Sequence, residues 1–483
     1  MFSSKDLLEL AKSEFEVMNE QSSSSTHYSQ LHSVRGEEKI GYFEQIVHPG
    51  DKAITFSVPK FYASSINGET IAGGQKTFRQ LTLGKLLTPE LAGMIGGVVP
   101  EENEPNISVA TSFQKTIFVS IISKDDSSRC SHTVSNLLDT SANPERIRVA
   151  VVHRVNPFSK GYLACDSPPK PCNSDPDQLL CKYNANVDVY EMNLELDAGA
   201  TFARHIGQRM YRGEYYALQI GLDAGIVFSE RWDEELVRQF EATKNEMAVI
   251  TTYLSETKMR DGNRSAKPER YTICHASFQG HGSERRLEHL RFDQIEQSSP
   301  PGRTDSPMLQ PFWSSEFSFS RGHFVLQIPY DPQYCGLDEQ DEEVGVAFRA
   351  FSSGYDFYTP TQSVVFRTKP NLVRDELSLC TSKSKNKSRK HLYSLIGLGT
   401  NHEDTIPQEY GLGAVREITK FFTLFGIHAS EKVTEDRLCE FVVTGNMHDE
   451  FAPHLRHDGM GIDYSQISFR FHELISIHKD RHE

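Results

Sequence analysis

No run of the roughly 18 apolar residues that a membrane helix needs occurs in this chain of 483 residues, so no span is expected. Basic charge is also short: 51 Lys and Arg face 66 Asp and Glu, for a formal net charge of −15. Sequence-independent nucleic-acid binding rests on clustered cations, and that balance argues against it. The eight cysteines are dilute and form no C-x-x-C pair, so neither a disulfide framework nor a standard zinc knuckle is signalled. Cys165, Cys172 and Cys181 do cluster in a Pro- and Asp-rich loop, where a staple or a metal is the alternative to ordinary thiols. Residues 1–21 are acidic and amphipathic, with neither a basic n-region nor an apolar h-region, and the expectation is an unsecreted, cytoplasmic protein. No G-x-S-x-G elbow follows a strand, which removes Ser/His/Asp hydrolysis, and the histidines near the end, His448, His454, His457, His472, His478 and His482, fit no ligand spacing.

What is present is an ordinary globular composition, 37% apolar and 24% charged, long enough for about two or three domains. Residues 1–110 differ in texture, with a Ser-rich patch at 22–25 and Gly/Pro breaks, and are read as a separate N-terminal extension. From Thr116 strand-like and helix-like segments alternate: TIFVSII, a helical stretch at 130–141, RIRVAVV, a strand at 187–193, a helix at 199–212, a strand at 215–220, a helix at 230–243 and a strand at 247–253. That alternation predicts βαβ units and a mostly parallel sheet over 111–380. Ser382 to Lys390 (SKSKNKSRK) reads as a solvated basic linker opening a C-terminal extension, 381–483, that is helical around Gly411 to Phe425.

Thr201 to Leu236 carries the most chemistry. Ala203, Ile206 and Met210 recur at helical spacing, with Arg204 and Arg209 off that stripe and Gly213 as a stop. A short aromatic strand follows and runs into Gly221-Leu222-Asp223-Ala224-Gly225, which sets Asp223 at a strand's carboxyl end. Open α/β sheets bind ligands in the crevice there, and a carboxylate at such a turn can hold the cation a diphosphate leaving group requires. The alternative is that Asp223 is an ordinary turn residue. Helix, strand, acidic turn and helix in this order suit a nucleotide-sugar site, and a glycosyltransferase is the leading expectation.

Several ordered blocks between about 113 and 430 resemble glycosyltransferase family 60, the cytoplasmic hydroxyproline-directed polypeptide N-acetylglucosaminyltransferases and their relatives. They are VSIISKDD with NPERIRVAVV, FARHIGQRMYRGEYYALQI with RWDEEL, FWSSEFSFSRGHF with IPYDP, DEE and GYDFYTP, and YGLGAVREITKFFTLFGI. The resemblance implies a GT-A-like α/β fold, a UDP-sugar donor, most simply UDP-N-acetylglucosamine, and a hydroxyl acceptor on an unidentified partner that could be a protein. It assigns nucleotide-sugar contacts to Ser120, Asp126, Arg204, Gln219, Trp232 and Arg367, and a metal-binding role to Asp223. Glu342 and Glu343, matching a Gly-Glu-Glu element, are the candidates to orient or deprotonate the acceptor, against the alternative of a solvated acidic loop.

Two departures bear on the chemistry. Where the family carries Asp-Ser-His this chain reads Gly221-Leu222-Asp223, and where it has a later His this chain has Arg367. A site so depleted would hold Mn or Mg weakly, because octahedral cations need several placed ligands. A guanidinium can itself hold a diphosphate bidentately, so Arg367 with Arg204 is expected to neutralise the leaving group, the alternative being that Arg367 pairs with an acid and catalysis has decayed. A non-catalytic relative that keeps the fold and binds nucleotide or a partner is the competing class.

Overall fold

A computed structural model of the chain describes residues 33–35, 43–59, 61, 78–96, 115–124, 127–156, 162–221, 225–256, 271–280, 285–288, 306–368, 379–399, 408–435 and 437–467. In chain order the elements used below begin with β1 (Ser33–Arg35), β2 (Phe43–Val47), β3 (Thr55–Pro59), β4 (Ile117–Lys124), α1 (Ser127–Thr140), β5 (Ile147–Val155) and β6 (Val187–Asn193). Next come α2 (Ala200–Arg209), β7 (Tyr216–Ile220), β8 (Ile226–Phe228), α3 (Trp232–Ala242), β9 (Ala248–Thr251), β10 (Ser255–Glu256), β11 (Ser277–Gln279), β12 (Arg286–Glu288), β13 (Met308–Gln310) and β14 (Phe317–Arg321). The last are α4 (Glu339–Ser352), β15 (Asp356–Thr359), β16 (Val365–Arg367), α5 (Ser382–Leu395) and α6 (Ile418–Leu424).

Among the described residues nine strands form one sheet in the order β1-β6-β5-β4-β7-β14-β9-β15-β13. The fold is mixed α/β about this sheet. Its heart, β6-β5-β4-β7, is parallel throughout, as the alternation predicts. Every residue of β4 is buried, Ser120, Ser123 and Lys124 included, as in a strand covered on both faces. Beyond β7 the expectation of a mostly parallel sheet gives way: β14 inserts antiparallel between β7 and β9, and only β9 with β15 is again parallel. Because β14 runs backwards, its first residues sit beside the last residues of β7 and β9. One sheet edge therefore collects the ends of β4, β7 and β9 with the start of β14.

Helix α2 lies across β4 and β5 and is buried at all ten positions. Its approach is so close that a Cβ on Gly207 would stand 2.7 Å from Ser120 Oγ. Gly213, at φ 96°, turns the chain into β7. The described parts of residues 1–110 pack on this unit: β1 pairs with β6, and the β2-β3 hairpin is tied down by ion pairing of Arg209 with Glu44 and by the contact of His48 Nε2 with Leu196 O at 3.2 Å.

Three expectations change. The eight cysteines are all paired, Cys130 with Cys165, Cys172 with Cys181, Cys274 with Cys439 and Cys335 with Cys380. The Cys165 loop is thus stapled twice, to α1 and to itself. Residues 382–390, expected as a solvated linker, form the first turns of α5, because Thr381 Oγ1 accepts from Ser384 N and Ser388, His391, Leu392 and Tyr393 are buried against the body. Similarly α6 begins only at Ile418: the preceding Gly413, Val415 and Arg416 donate their N–H groups to Ser352 at the end of α4, so that segment caps a helix instead of forming one. No helix of the described residues is long and apolar enough to cross a membrane.

Candidate active site

The strand-end edge is built on a glycine. After β7, Gly221 N donates to Glu316 O at 2.9 Å, and a Cβ on Gly221 would stand 2.8 Å from both Ser315 O and Glu316 Cα. This contact seats the turn after β7 on the residues that lead into β14. Those residues, Ser314 to Glu316, are fixed by their own hydrogen bonds: Ser314 N donates to Thr251 Oγ1 at 3.0 Å, and Glu316 N to Ser314 Oγ at 3.1 Å.

Three buried glutamates, Glu316, Glu342 and Glu343, and the half-buried Glu339 gather around this segment. Glu316 accepts from Leu254 N at 2.9 Å and from Arg367 at 2.8 Å. Glu343 accepts from Ser315 N at 2.9 Å and Tyr253 OH at 3.1 Å, and Glu339 from Ser315 Oγ at 3.0 Å. Glu342 accepts from Arg204 and Thr201 Oγ1, each at 2.6 Å. Three of the four stand on the first turns of α4, whose N-cap Asp338 accepts from Asp341 N at 2.9 Å. Carboxylates are favoured at that end of a helix dipole. Two guanidiniums cannot neutralise four carboxylates, and the rest of the charge falls to hydroxyl and N–H donors.

Burial raises the Glu316 carboxyl above its ordinary range; Arg367 pulls against that rise and Glu339 adds to it. Glu342 is raised in the same way, chiefly by burial, with Arg204 opposing. The Tyr253 hydroxyl is pushed up by burial and by the neighbouring glutamates, so it stays a donor at neutral pH. At the neighbouring end of β7, Gln219 Oε1 accepts from Tyr330 OH at 3.3 Å, while its Nε2 is buried with no hydrogen-bond partner. A buried amide with an idle donor is the kind of group that meets a ligand oxygen.

The structure brings Glu342, Glu343, Arg204, Arg367 and Gln219 to one edge. The solvated-loop alternative for Glu342 and Glu343 is replaced by a buried helix. Ser120 is the in-register neighbour of Gln219 across the β4-β7 pairing, 5% exposed and covered by Gly207 of α2. Trp232 is core instead of a sugar floor, with no exposed surface, its Nε1 donating to Leu137 O at 2.9 Å and its ring 5.0 Å from Phe228. Asp126 and Asp223 lie outside the described residues. Glu316, Glu339 and Tyr253 were missed by sequence reasoning. The one available signal was Glu316 itself, a lone acid between Ser315 and the apolar-aromatic run Phe317 to Phe319.

For a divalent cation the described acids do not fit. Among the described residues the one group with ligand atoms mutually within reach is Cys274, His275 and Cys439, and both its sulfurs are spent in a disulfide. Glu316 and Glu342 pair with different arginines, and Glu339 and Glu343 share only Ser315 Oγ, so no three of these carboxylates converge.

Residues 161–431, more than half of the chain, match the family model described as Glycosyltransferase (GlcNAc). No curated protein matches. Among solved structures, TarS 1-349 of S. aureus is 11% identical with a TM-score of 0.30, covering 52% of this chain and 60% of that one. The same protein in complex with UDP-GlcNAc is 9% identical, with a TM-score of 0.33 and coverage of 64% and 71%. GalNAc-T7 with UDP, GalNAc and Mn2+ is 12% identical, with a TM-score of 0.35 and coverage of 70% and 58%. This chain thus spans less than two thirds of the first and third of these structures, and likeness at such scores carries no argument about ligands.

Proposed function

The chain belongs to the Glycosyltransferase (GlcNAc) family, and from that premise we propose that it transfers N-acetylglucosamine from UDP-N-acetylglucosamine to a hydroxyl group of an unidentified acceptor, a protein among the candidates. The family-60 resemblance is part of this reading. The observation that carries it is the convergence of Arg204, Arg367, Gln219, Glu342 and Glu343 at the strand-end edge, where open α/β sheets take their ligands.

In this reading Gln219 Nε2 donates to the donor substrate, and Arg367 exchanges Glu316 for the diphosphate as charge develops on the departing UDP. Glu343 or Glu342 orients the acceptor hydroxyl and takes its proton. A divalent cation, if bound, would supply Lewis-acid stabilisation of the diphosphate, with Asp223 as the proposed contact; the described glutamates offer it no converged set, and no step is routed through it. The four disulfides support folding in an oxidising compartment, in place of the cytoplasm expected from the sequence.

The full partnering of the four glutamates also favours the second reading, a nucleotide- or partner-binding relative without turnover. Calorimetric titration of UDP and of UDP-N-acetylglucosamine, with manganese and with EDTA, tests the binding half. Release of UDP from the sugar nucleotide tests the chemistry. Binding with no UDP release under any condition selects the nucleotide-binding form of the second reading; absence of binding removes the transferase and leaves only the partner-binding form.

A further inference from the structure

A cavity of about 400 Å³ opens away from the glutamate cluster, between the β2-β3 turn, the Pro332–Tyr334 loop and α5. Its walls are held rigidly. His48 Nδ1 accepts from Gly50 N at 2.9 Å and Asp51 N at 3.0 Å, which fixes the turn that carries Lys52. Gly50 lies so close to Cys335 that a Cβ there would meet Sγ at 2.8 Å, and the Cys335–Cys380 disulfide joins that loop to the start of α5. Cys335 N donates to Ser388 Oγ of α5 at 2.9 Å.

The lining is basic in a chain of formal charge −15. Lys52 and Lys387 project from opposite walls, and no described residue forms an ion pair with either. Between them His391 is 9% exposed, its ring edge-on to Tyr334 at 5.7 Å and its Nε2 buried with no hydrogen-bond partner. Beneath it stands Asp331 Oδ2, 4.0 Å away, which also lacks a hydrogen-bond partner. That distance is too long for a direct bond, and Asp331 lies behind the cavity wall and not in its lining. The rest of the lining is apolar at Val47, 51% exposed, Pro332 and the Tyr334 ring, and polar at Gln333, Ser384 and Ser388.

We propose that this cavity binds an acidic polypeptide segment, with ligand carboxylates on Lys52 and Lys387 and an apolar ligand residue against Val47, Pro332 and Tyr334. An inorganic anion would leave the apolar wall and the volume unused. A polyanion such as nucleic acid would likewise leave the apolar wall unused, and the formal charge of −15 on the chain disfavours it. A short acidic peptide with an aliphatic residue uses the charges and the apolar wall together. The inference does not depend on the donor chemistry proposed above.

The test is fluorescence anisotropy of the whole protein with a labelled, N-acetylated and C-amidated hexapeptide alternating Asp and Leu. Binding should weaken about tenfold or more in Lys52→Glu and in Lys387→Glu, persist in Lys387→Arg, and fall with added salt. A Lys/Leu counterpart should not bind. Failure of the acidic peptide to bind, or binding indifferent to both charge reversals, overturns the proposal. Inorganic phosphate competing as well as the peptide would mean a small-anion site and overturns it too. UDP titrations of the same variants report separately on the transferase reading and on folding.

Discussion

Removing Arg367 by itself confounds two effects, and the structure says how to separate them. Arg367 reaches Glu316 at 2.8 Å in a setting where the two side chains are 9% and 7% exposed. Breaking such a pair by deleting one partner leaves a buried charge and costs about 3–5 kcal/mol, whereas replacing both by neutral groups of similar volume is close to neutral. Arg367→Met should therefore lose about 3–5 kcal/mol of stability, and Glu316→Gln with Arg367→Met should recover most of it, since Gln keeps an acceptor for Leu254 N. Loss of UDP affinity in the single variant means little, because it could come from the strained fold.

The double variant isolates the ligand's share. If Arg367 holds the diphosphate, it forfeits charge-assisted hydrogen bonds worth about 1.5–3 kcal/mol, a weakening of roughly 10- to 150-fold in Kd. Urea unfolding supplies the stability cycle and calorimetry with UDP the affinity. A double variant that is as stable as the parent and binds UDP equally well would refute the role given to Arg367 and leave it as a structural partner of Glu316.

Burial, reinforced by Asp338, raises the Asp341 carboxyl from 3.8 to about 6 against the pull of Arg389. A group that holds its proton more tightly when folded costs stability where it is ionised, about 3 kcal/mol above pH 6, and returns it as pH falls from 6 toward 4. Asp341→Asn should flatten that window of the urea-midpoint profile; an unchanged profile would exclude Asp341 as the source. Cys335→Ser with Cys380→Ser opens a 45-residue separation and should cost about 4 kcal/mol by loop entropy, read by thermal unfolding. An equal melting temperature with and without reductant would count against the disulfide. Trp232→Ala empties a fully buried site and should cost about 3–5 kcal/mol while leaving the UDP Kd of the folded fraction unchanged. A selective loss of UDP affinity would return Trp232 to the site.

The parallel heart of the fold is legible because local pattern carries it: β6 spans Val187–Asn193 as expected, and β4, β5, β7, α2 and α3 differ from the sequence reading by a few residues at their ends. Strand direction has no such local signature. FSFSR reads equally well in either sense, and only its antiparallel pairing with both β7 and β9 delivers Glu316 to the edge where Gln219 sits. The disulfides escape for a related reason, since Cys274 and Cys439 are 165 residues apart and nothing between them marks their meeting. Arg204 was legible as an off-stripe residue but not as a buried one. Its burial follows from α4 packing over α2, which supplies Glu342 as its partner.

The same packing explains why so many acids tolerate burial. Arg204 pairs with Glu342 and Arg367 with Glu316, while Glu339 and Glu343 share the Oγ donor of Ser315. A ligand diphosphate entering this edge adds negative charge to a cluster already in surplus, so it can be accepted only where a guanidinium changes partner or a carboxylate takes a proton. Glu316, raised by burial and by Glu339, is the carboxylate best placed to do so, and its partner is the arginine that stands where the resembled family has a histidine. Arg367 thereby links the stability of the site to its occupancy, which is why the paired substitution, and not the single one, measures what the ligand gains.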